Sequence, residues 1–167
     1  GMGPLEENIM AIAEAKIPVG MVVITGKNEA LKSHLESLTF PYPVFVQGFV
    51  KNMPEFMQAC DVLITKAGPG TISEAFIAGL PIILYSRMPG QEEGNVEYVV
   101  KHEAGVWADD PAKVVETLRT WVEQPAERQR YTDNAIAQAR PDSSKIIART
   151  AMGLLGLYPL DEITYYG

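Results

Sequence analysis

Cysteine is almost absent from this sequence: Cys60 stands alone among 167 residues. No intrachain disulfide can form and no cysteine framework can hold a metal, which excludes disulfide-stapled scaffolds and thiolate zinc folds and fits a reducing compartment. In its apolar helical context Cys60 reads as a small buried hydrophobe. Histidine is nearly as scarce. His34 and His102 fall on separate expected helices, so both read as surface residues and no Ser-His-Asp arrangement is visible. Positive charge is short as well: 14 Lys and Arg against 21 Asp and Glu leave a net charge of −7. Nucleic-acid binders carry a basic face and anionic lipid attracts basic patches, so both partner classes lose their usual footing. No apolar run reaches the ~18 residues of a membrane-spanning helix, and the first residues lack the pattern of a secretory leader. A cytoplasmic protein is expected. An Asp-x-Asp pair of the kind that holds a metal–diphosphate is also missing. Asp109-Asp110 precedes Pro111 and reads as a helix cap. Neither a cofactor nor a metal is expected.

What is present is an ordinary globular composition, 47% hydrophobic and 21% charged, enough for one domain with a sizeable core. Short apolar runs alternate with stretches of helical period. Strands are expected over 19–25, 44–47, 62–65, 82–85 and 105–108. Helices are expected over 6–15, 28–38, 54–59, 71–79, 95–102, 111–123, 126–139 and 143–155. Ile9, Ile12 and Ala13 share one helical stripe, and Leu31, Leu35 and Leu38 another. Strands this apolar are expected to be buried on both faces, and their alternation with helices implies an α/β, doubly wound, mostly parallel sheet with helices on both faces. The domain is expected over 1–155, with a Tyr-rich tail over 156–167. The chain reads Gly-Met-Gly-Pro and then enters a helix, whereas a doubly wound sheet would reach such a turn from a strand. The expectation is that a first strand, central in the sheet, is missing.

Three segments carry candidate chemistry. Ala67-Gly68-Pro69-Gly70-Thr71 follows an apolar strand and leads into a helix expected to open on Thr71. Glycine permits positive φ and close ligand approach at Gly68 and Gly70, and a helix N-terminus aims bare N–H groups and its dipole at one point, a site for an anion such as a diphosphate. Thr71-x-x-Glu74 also has the form of a capping box, with Glu74 folded back onto Thr71. Both readings stand on sequence alone. Pro89-Gly-Gln-Glu-Glu-Gly-Asn95 follows the next strand, so it lies at the same carboxyl edge, where open α/β sheets bind ligands. Gln91, Glu92 and Asn95 suit sugar hydroxyls, or they form a solvated loop with Asn95 as helix cap. Gly48-Phe49-Val50 closes the strand before, where backbone groups could meet a base edge. Phe49 reads as core more readily than as a stacking platform.

At these residues the chain resembles the carboxyl-terminal half of GT-B glycosyltransferases. The run from Gly48 to Glu74, Gly79-Leu80-Pro81 and Gly90-Gln91-Glu92-x-Gly94-Asn95 are similar to monogalactosyldiacylglycerol synthases, then to bacterial diglucosyldiacylglycerol synthases and lipid II N-acetylglucosaminyltransferases. The similarity runs over roughly 1–155. It implies a Rossmann-like domain that takes a UDP-sugar, UDP-galactose or UDP-glucose, as donor. Val50 would present its backbone to the uracil; Gly68, Pro69, Gly70 and Thr71 would hold the diphosphate. Glu74 would accept from the ribose hydroxyls. Gln91 and Glu92, with Asn95 beside them, would grip the sugar. Gly1 and Gly3 would be the remainder of a second glycine loop facing the cleft.

The resemblance further implies inverting, metal-independent transfer of a hexose to a lipid such as diacylglycerol. The acceptor site and the base would belong to a missing N-terminal domain or a separate membrane-bound subunit. Two alternatives are a non-catalytic donor subunit of a split transferase and a nucleotide-sugar epimerase. The carboxylates and histidine that an epimerase needs are not found. An incomplete sheet also implies a homo-oligomer, by strand exchange or with a strand from the tail, Ile163 to Tyr166.

Overall fold

The computed structural model describes residues 4–157. In chain order the elements are α1 (Pro4–Glu14), β1 (Met21–Ile24), α2 (Glu29–Glu36), β2 (Val44–Gln47), α3 (Met53–Gln58), β3 (Leu63–Lys66), α4 (Pro69–Ala78), β4 (Ile82–Ser86), α5 (Glu93–Lys101), β5 (Gly105–Trp107), α6 (Pro111–Glu123), α7 (Pro125–Gln138) and α8 (Ser143–Leu154). Every expected element is there, with no end moved by more than two residues. Local chemistry explains several starts. Asp110 caps α6, its Oδ1 accepting from Ala112 N–H at 2.7 Å, and Pro111 takes the first helical position. Asn28 caps α2 through Leu31 N–H. The expected helix start at Thr71 is two residues late: Gly68 is the cap and α4 begins at Pro69.

All observed strand pairs are parallel, in two groups. β1 pairs with β2, from Met21↔Val44 to Ile24↔Gln47. The second group has the order β3-β4-β5. Between them lies a cleft of about 1140 Å3, walled by Gly20–Gly26 on one side and Val62–Thr65 on the other. The interruption falls where a central strand was expected.

Helices cover both faces. β4 is buried from Ile82 to Tyr85 and divides its side chains between two layers. Ile82 and Leu84 meet Met57, Phe76, Val99 and Ala135 of α3, α4, α5 and α7. Ile83 and Tyr85 meet Ile12, Val114, Leu118 and Trp121 of α1 and α6. A third cluster joins Ile9, Val23, Leu35 and Val46, as the two helical stripes imply. Burial on both faces does not extend to the other strands. Val22 and Phe45, neighbours in register on one face of the β1–β2 pair, remain 39% and 55% exposed. β3 is only half-buried because it borders the cleft.

His34 is exposed, as expected of a surface residue, and it makes one polar contact with a buried group. Its Nε2 lies 2.9 Å from Oε1 of Glu6, a carboxylate buried on α1. His34→Ala leaves that carboxylate without its partner. The expected loss is about 1–2 kcal/mol, read as a melting temperature lower by roughly 2–8 °C, whereas Glu6→Gln in the same assay should lose less. The tail strand expected over Ile163 to Tyr166 lies outside the described residues, as do Gly1 and Gly3.

Candidate functional site

The carboxyl ends of β3 and β4 lie side by side, with Lys66 opposite Ser86 across a register shift. The chain leaves β3 into Ala67, buried and tied by its N–H to Ser86 O at 2.9 Å. Gly68 then caps α4 in extended backbone (φ −71°, ψ 129°), with no side-chain cap. Neither Gly68 nor Gly70 has positive φ. A Cβ at either position would meet nothing within 4 Å, so the surface outside them is open to close approach.

This geometry decides one alternative. Thr71 sits in the first turn, the third residue of α4, not at its cap, so the capping box is not formed. Ile72 N–H bonds Gly68 O at 3.1 Å. The N–H groups of Gly70 and Thr71 have no intrahelical acceptor and point out of the helix end. Pro69 has no N–H to offer. Two donors, a hydroxyl and the positive end of the dipole therefore converge. Thr71 and the exposed Glu74, one turn on, both line the end of the central cleft.

The second loop is built onto the first. Asn95 does not cap α5; Glu92 holds that position. Asn95 Nδ2 donates to Ala67 O at 2.8 Å and fastens the start of α5 to the glycine turn. Glu92 Oε2 accepts from Met88 N–H and Glu93 Oε1 from Gly90 N–H, each at 2.7 Å. Gly90, at φ +80°, makes the turn possible. The Gly90 N–H, with Arg87 behind it, holds the Glu93 carboxyl below its usual range. Gln91 is exposed and fixed only by its backbone. Arg87 lies over the Trp107 ring at 4.8 Å.

Val50 is set apart. It follows β2 in the other strand group and precedes α3, which packs on α4. Its backbone groups make no hydrogen bond among the described residues. Phe49 is 65% exposed, not core. The sequence reading missed two cations on this edge, Lys66 and Arg87. Their position as the last residue of one strand and the first after the next was the available signal.

A family model described as the glycosyltransferase family 28 C-terminal domain matches residues 6–147. The probable monogalactosyldiacylglycerol synthase 2 of Oryza sativa subsp. indica is 46% identical over 151 residues, 86% of this chain and 32% of that protein. Monogalactosyldiacylglycerol synthase 2 of Arabidopsis thaliana is 44% identical over the same shares. The chain spans about a third of the length of these curated relatives. Among solved structures, WaaG, a glycosyltransferase involved in lipopolysaccharide biosynthesis, matches with a TM-score of 0.64 at 21% identity, over 90% of this chain and 42% of its own. The glycosyltransferase VinC, solved with DTDP, matches at 0.64 and 18% identity, over 90% and 36%. At such identities the structural likeness speaks for the fold.

Proposed function

The chain belongs to the glycosyltransferase family 28 C-terminal domains and has the fold of half a GT-B enzyme, and from that membership we propose that it binds the UDP-sugar of an inverting transferase that passes a hexose to a lipid such as diacylglycerol. The observation that supports this reading is the start of α4, which lacks a side-chain cap and where Gly70, Thr71 and the helix dipole face open space a few residues after Lys66 ends β3. The diphosphate seats on Gly68 to Thr71. Glu74, on the same helical face as Thr71, accepts from the ribose hydroxyls. Val50 offers its N–H and C=O to the base edge, and the exposed ring of Phe49 lies next to it. Gln91 and Glu92 take the sugar, with Asn95 holding their loop against the phosphate turn.

In the reaction an acceptor hydroxyl displaces UDP at the anomeric carbon. Negative charge grows on the departing diphosphate, where the two N–H groups stabilise it without reorganising. Lys66, exposed and without an ion pair among the described residues, adds a positive charge. The base and the acceptor lipid come from outside these residues, in a preceding domain or a separate subunit. No helix among the described residues is long and apolar enough to cross a membrane.

Calorimetric titration tests the assignment with UDP, UDP-galactose, UDP-glucose and inorganic pyrophosphate as ligands. Thr71→Ala should weaken UDP and pyrophosphate alike by about five-fold, one hydrogen bond's worth. Glu74→Ala should weaken UDP by a similar factor and leave pyrophosphate unchanged. UDP affinity that survives both substitutions, or an unaltered chain that does not bind UDP at all, would overturn the reading.

A further inference from the structure

We propose that Arg87, seated between Trp107 and Glu93, is a positioning residue: it sets the shape of the loop carrying Gln91, and through it the hold on the donor's hexose but not on its nucleotide. This role rests on the donor-site reading above.

The loop between β4 and α5 is fastened at both ends. Its far end is held by Asn95, whose Nδ2 donates to Ala67 O. Its near end is held through Arg87, the first residue after β4. The guanidinium carbon of Arg87 lies 4.8 Å from the centre of the Trp107 ring, a cation–π contact. Its Nε lies 3.9 Å from Glu93 Oε1, and that same oxygen accepts from Gly90 N–H at 2.7 Å. Trp107 makes a fixed platform. It closes β5 in register with Leu84 and packs against the buried cluster that holds Leu84 and Val99. Contacts therefore run without a break from the sheet, through Arg87 and Glu93, to Gly90 at φ +80°.

The loop's own donors are occupied within it. Met88 N–H goes to Glu92 Oε2 at 2.7 Å, and Gln91 N–H to Met88 O at 3.2 Å. What the loop presents outward is the exposed side chain of Gln91. Its direction depends on how the turn at Gly90 is held, and that depends on Glu93 and Arg87.

Magnitudes separate positioning from a purely structural role. The side chains of Arg87 and Glu93 remain 38% and 42% exposed, and ion pairs this open add little to global stability. Biasing one short loop takes much less. If the loop without Arg87 spends only about a fifth of its time in the binding shape, apparent affinity falls about five-fold. The competing role for Arg87 is direct contact with the diphosphate. A guanidinium with an indole face on one side and a carboxylate on the other is turned toward β5 and α5, whereas Lys66 has no ion pair among the described residues.

Calorimetry on Arg87→Ala, Arg87→Lys, Trp107→Leu and Trp107→Phe tests the role, with UDP-galactose, UDP-glucose, UDP and inorganic pyrophosphate as ligands. Arg87→Ala and Trp107→Leu should weaken the better-bound UDP-hexose by about five-fold and shift UDP and pyrophosphate by less than about two-fold. Arg87→Lys keeps the cation and Trp107→Phe keeps a ring face, so each should restore most of the loss. Without nucleotide, amide exchange at Gly90 should be about five-fold faster in Arg87→Ala, with the melting temperature lowered by no more than about 4 °C. Should Trp107→Leu fail to fold, the Arg87 pair decides the matter. Pyrophosphate weakened as much as UDP-hexose in Arg87→Ala would make Arg87 a phosphate contact and overturn the proposal. Unchanged UDP-hexose affinity, or unchanged exchange at Gly90, would overturn it as well. An unaltered chain that binds no UDP would overturn the donor reading and this role with it, a failure distinct from UDP binding with unaltered affinity for the hexose.

Discussion

Gly70→Asp should reduce UDP affinity at least 100-fold while leaving the melting temperature unchanged or slightly higher. The two halves of this expectation have separate physical origins. Position 70 is the second residue of α4, its φ is ordinary, and a Cβ there meets no atom within 4 Å. Replacing glycine inside a helix removes a backbone entropy penalty of about 0.5–1 kcal/mol. A carboxylate in the first turn also favours the dipole, by a few tenths of a kcal/mol or more. The fold therefore gains. The same carboxylate stands where the diphosphate is proposed to sit, beside the N–H groups it would otherwise accept from. Like charges brought together at a binding surface cost several kcal/mol, and 100-fold corresponds to about 2.7 kcal/mol. Gly70→Ala is the neutral control: it keeps the gain from replacing glycine without the carboxylate's dipole contribution, with affinity lowered only as far as the methyl group obstructs the ligand. Titration calorimetry and thermal denaturation on the three proteins read both halves. Unchanged UDP affinity in Gly70→Asp would move the diphosphate away from α4.

Much of this arrangement was legible in the sequence because each element is short and sharply punctuated. Asp110-Pro111 marks the start of α6 to the residue, since a cap followed by proline admits one conformation. The start of α4 was misread because the sequence holds two start signals in competition. Thr71-x-x-Glu74 resembles a capping box, while Gly68-Pro69 offers a cap followed by proline at the first helical position. The latter prevails because proline's fixed φ is already helical. Burial was less legible than periodicity. Val22, Phe45 and Phe49 are as apolar as Ile83, but burial belongs to what covers a residue, and the described residues cover them only in part. The link between His34 and Glu6 joins two helices with a strand between them, and no local pattern records it. At the candidate site, the residue types at the carboxyl edge were readable from strand order. The use of Asn95 to brace Ala67, instead of capping α5, depends on how closely the two loops approach.

Gly105→Ala should cost more stability than the same change at any other glycine whose surroundings are described, Gly20 to Gly94. Gly105 opens β5 opposite Ile82 of β4, and Ile82 N–H bonds the neighbouring Ala104 O at 3.1 Å. A Cβ on Gly105 would fall 2.3 Å from Ile82 O and 2.7 Å from Val99 Cγ1. Neither neighbour can yield. Ile82 O belongs to the backbone of the middle strand at a fully buried position, and Val99 is itself buried on α5 in the cluster that holds Phe76 and Leu84. Relief requires β5 to peel from β4 or α5 to lift from the sheet, and either exposes the cluster around Leu84. Overpacking of this kind typically costs 1–3 kcal/mol and exceeds that when backbone blocks the way, so a loss of about 3 kcal/mol is expected. For a domain of this size that lowers the melting temperature by about 6–12 °C. Gly94→Ala is the matched control. It lies in the first turn of α5 with nothing within 4 Å of its Cβ and no positive φ, so the same methyl group should raise stability by about 0.5–1 kcal/mol. Opposite signs from one methyl group at two glycines eleven residues apart would follow only if β5 pairs with β4 in the register Ile82↔Gly105. Equal effects at the two positions would refute that pairing.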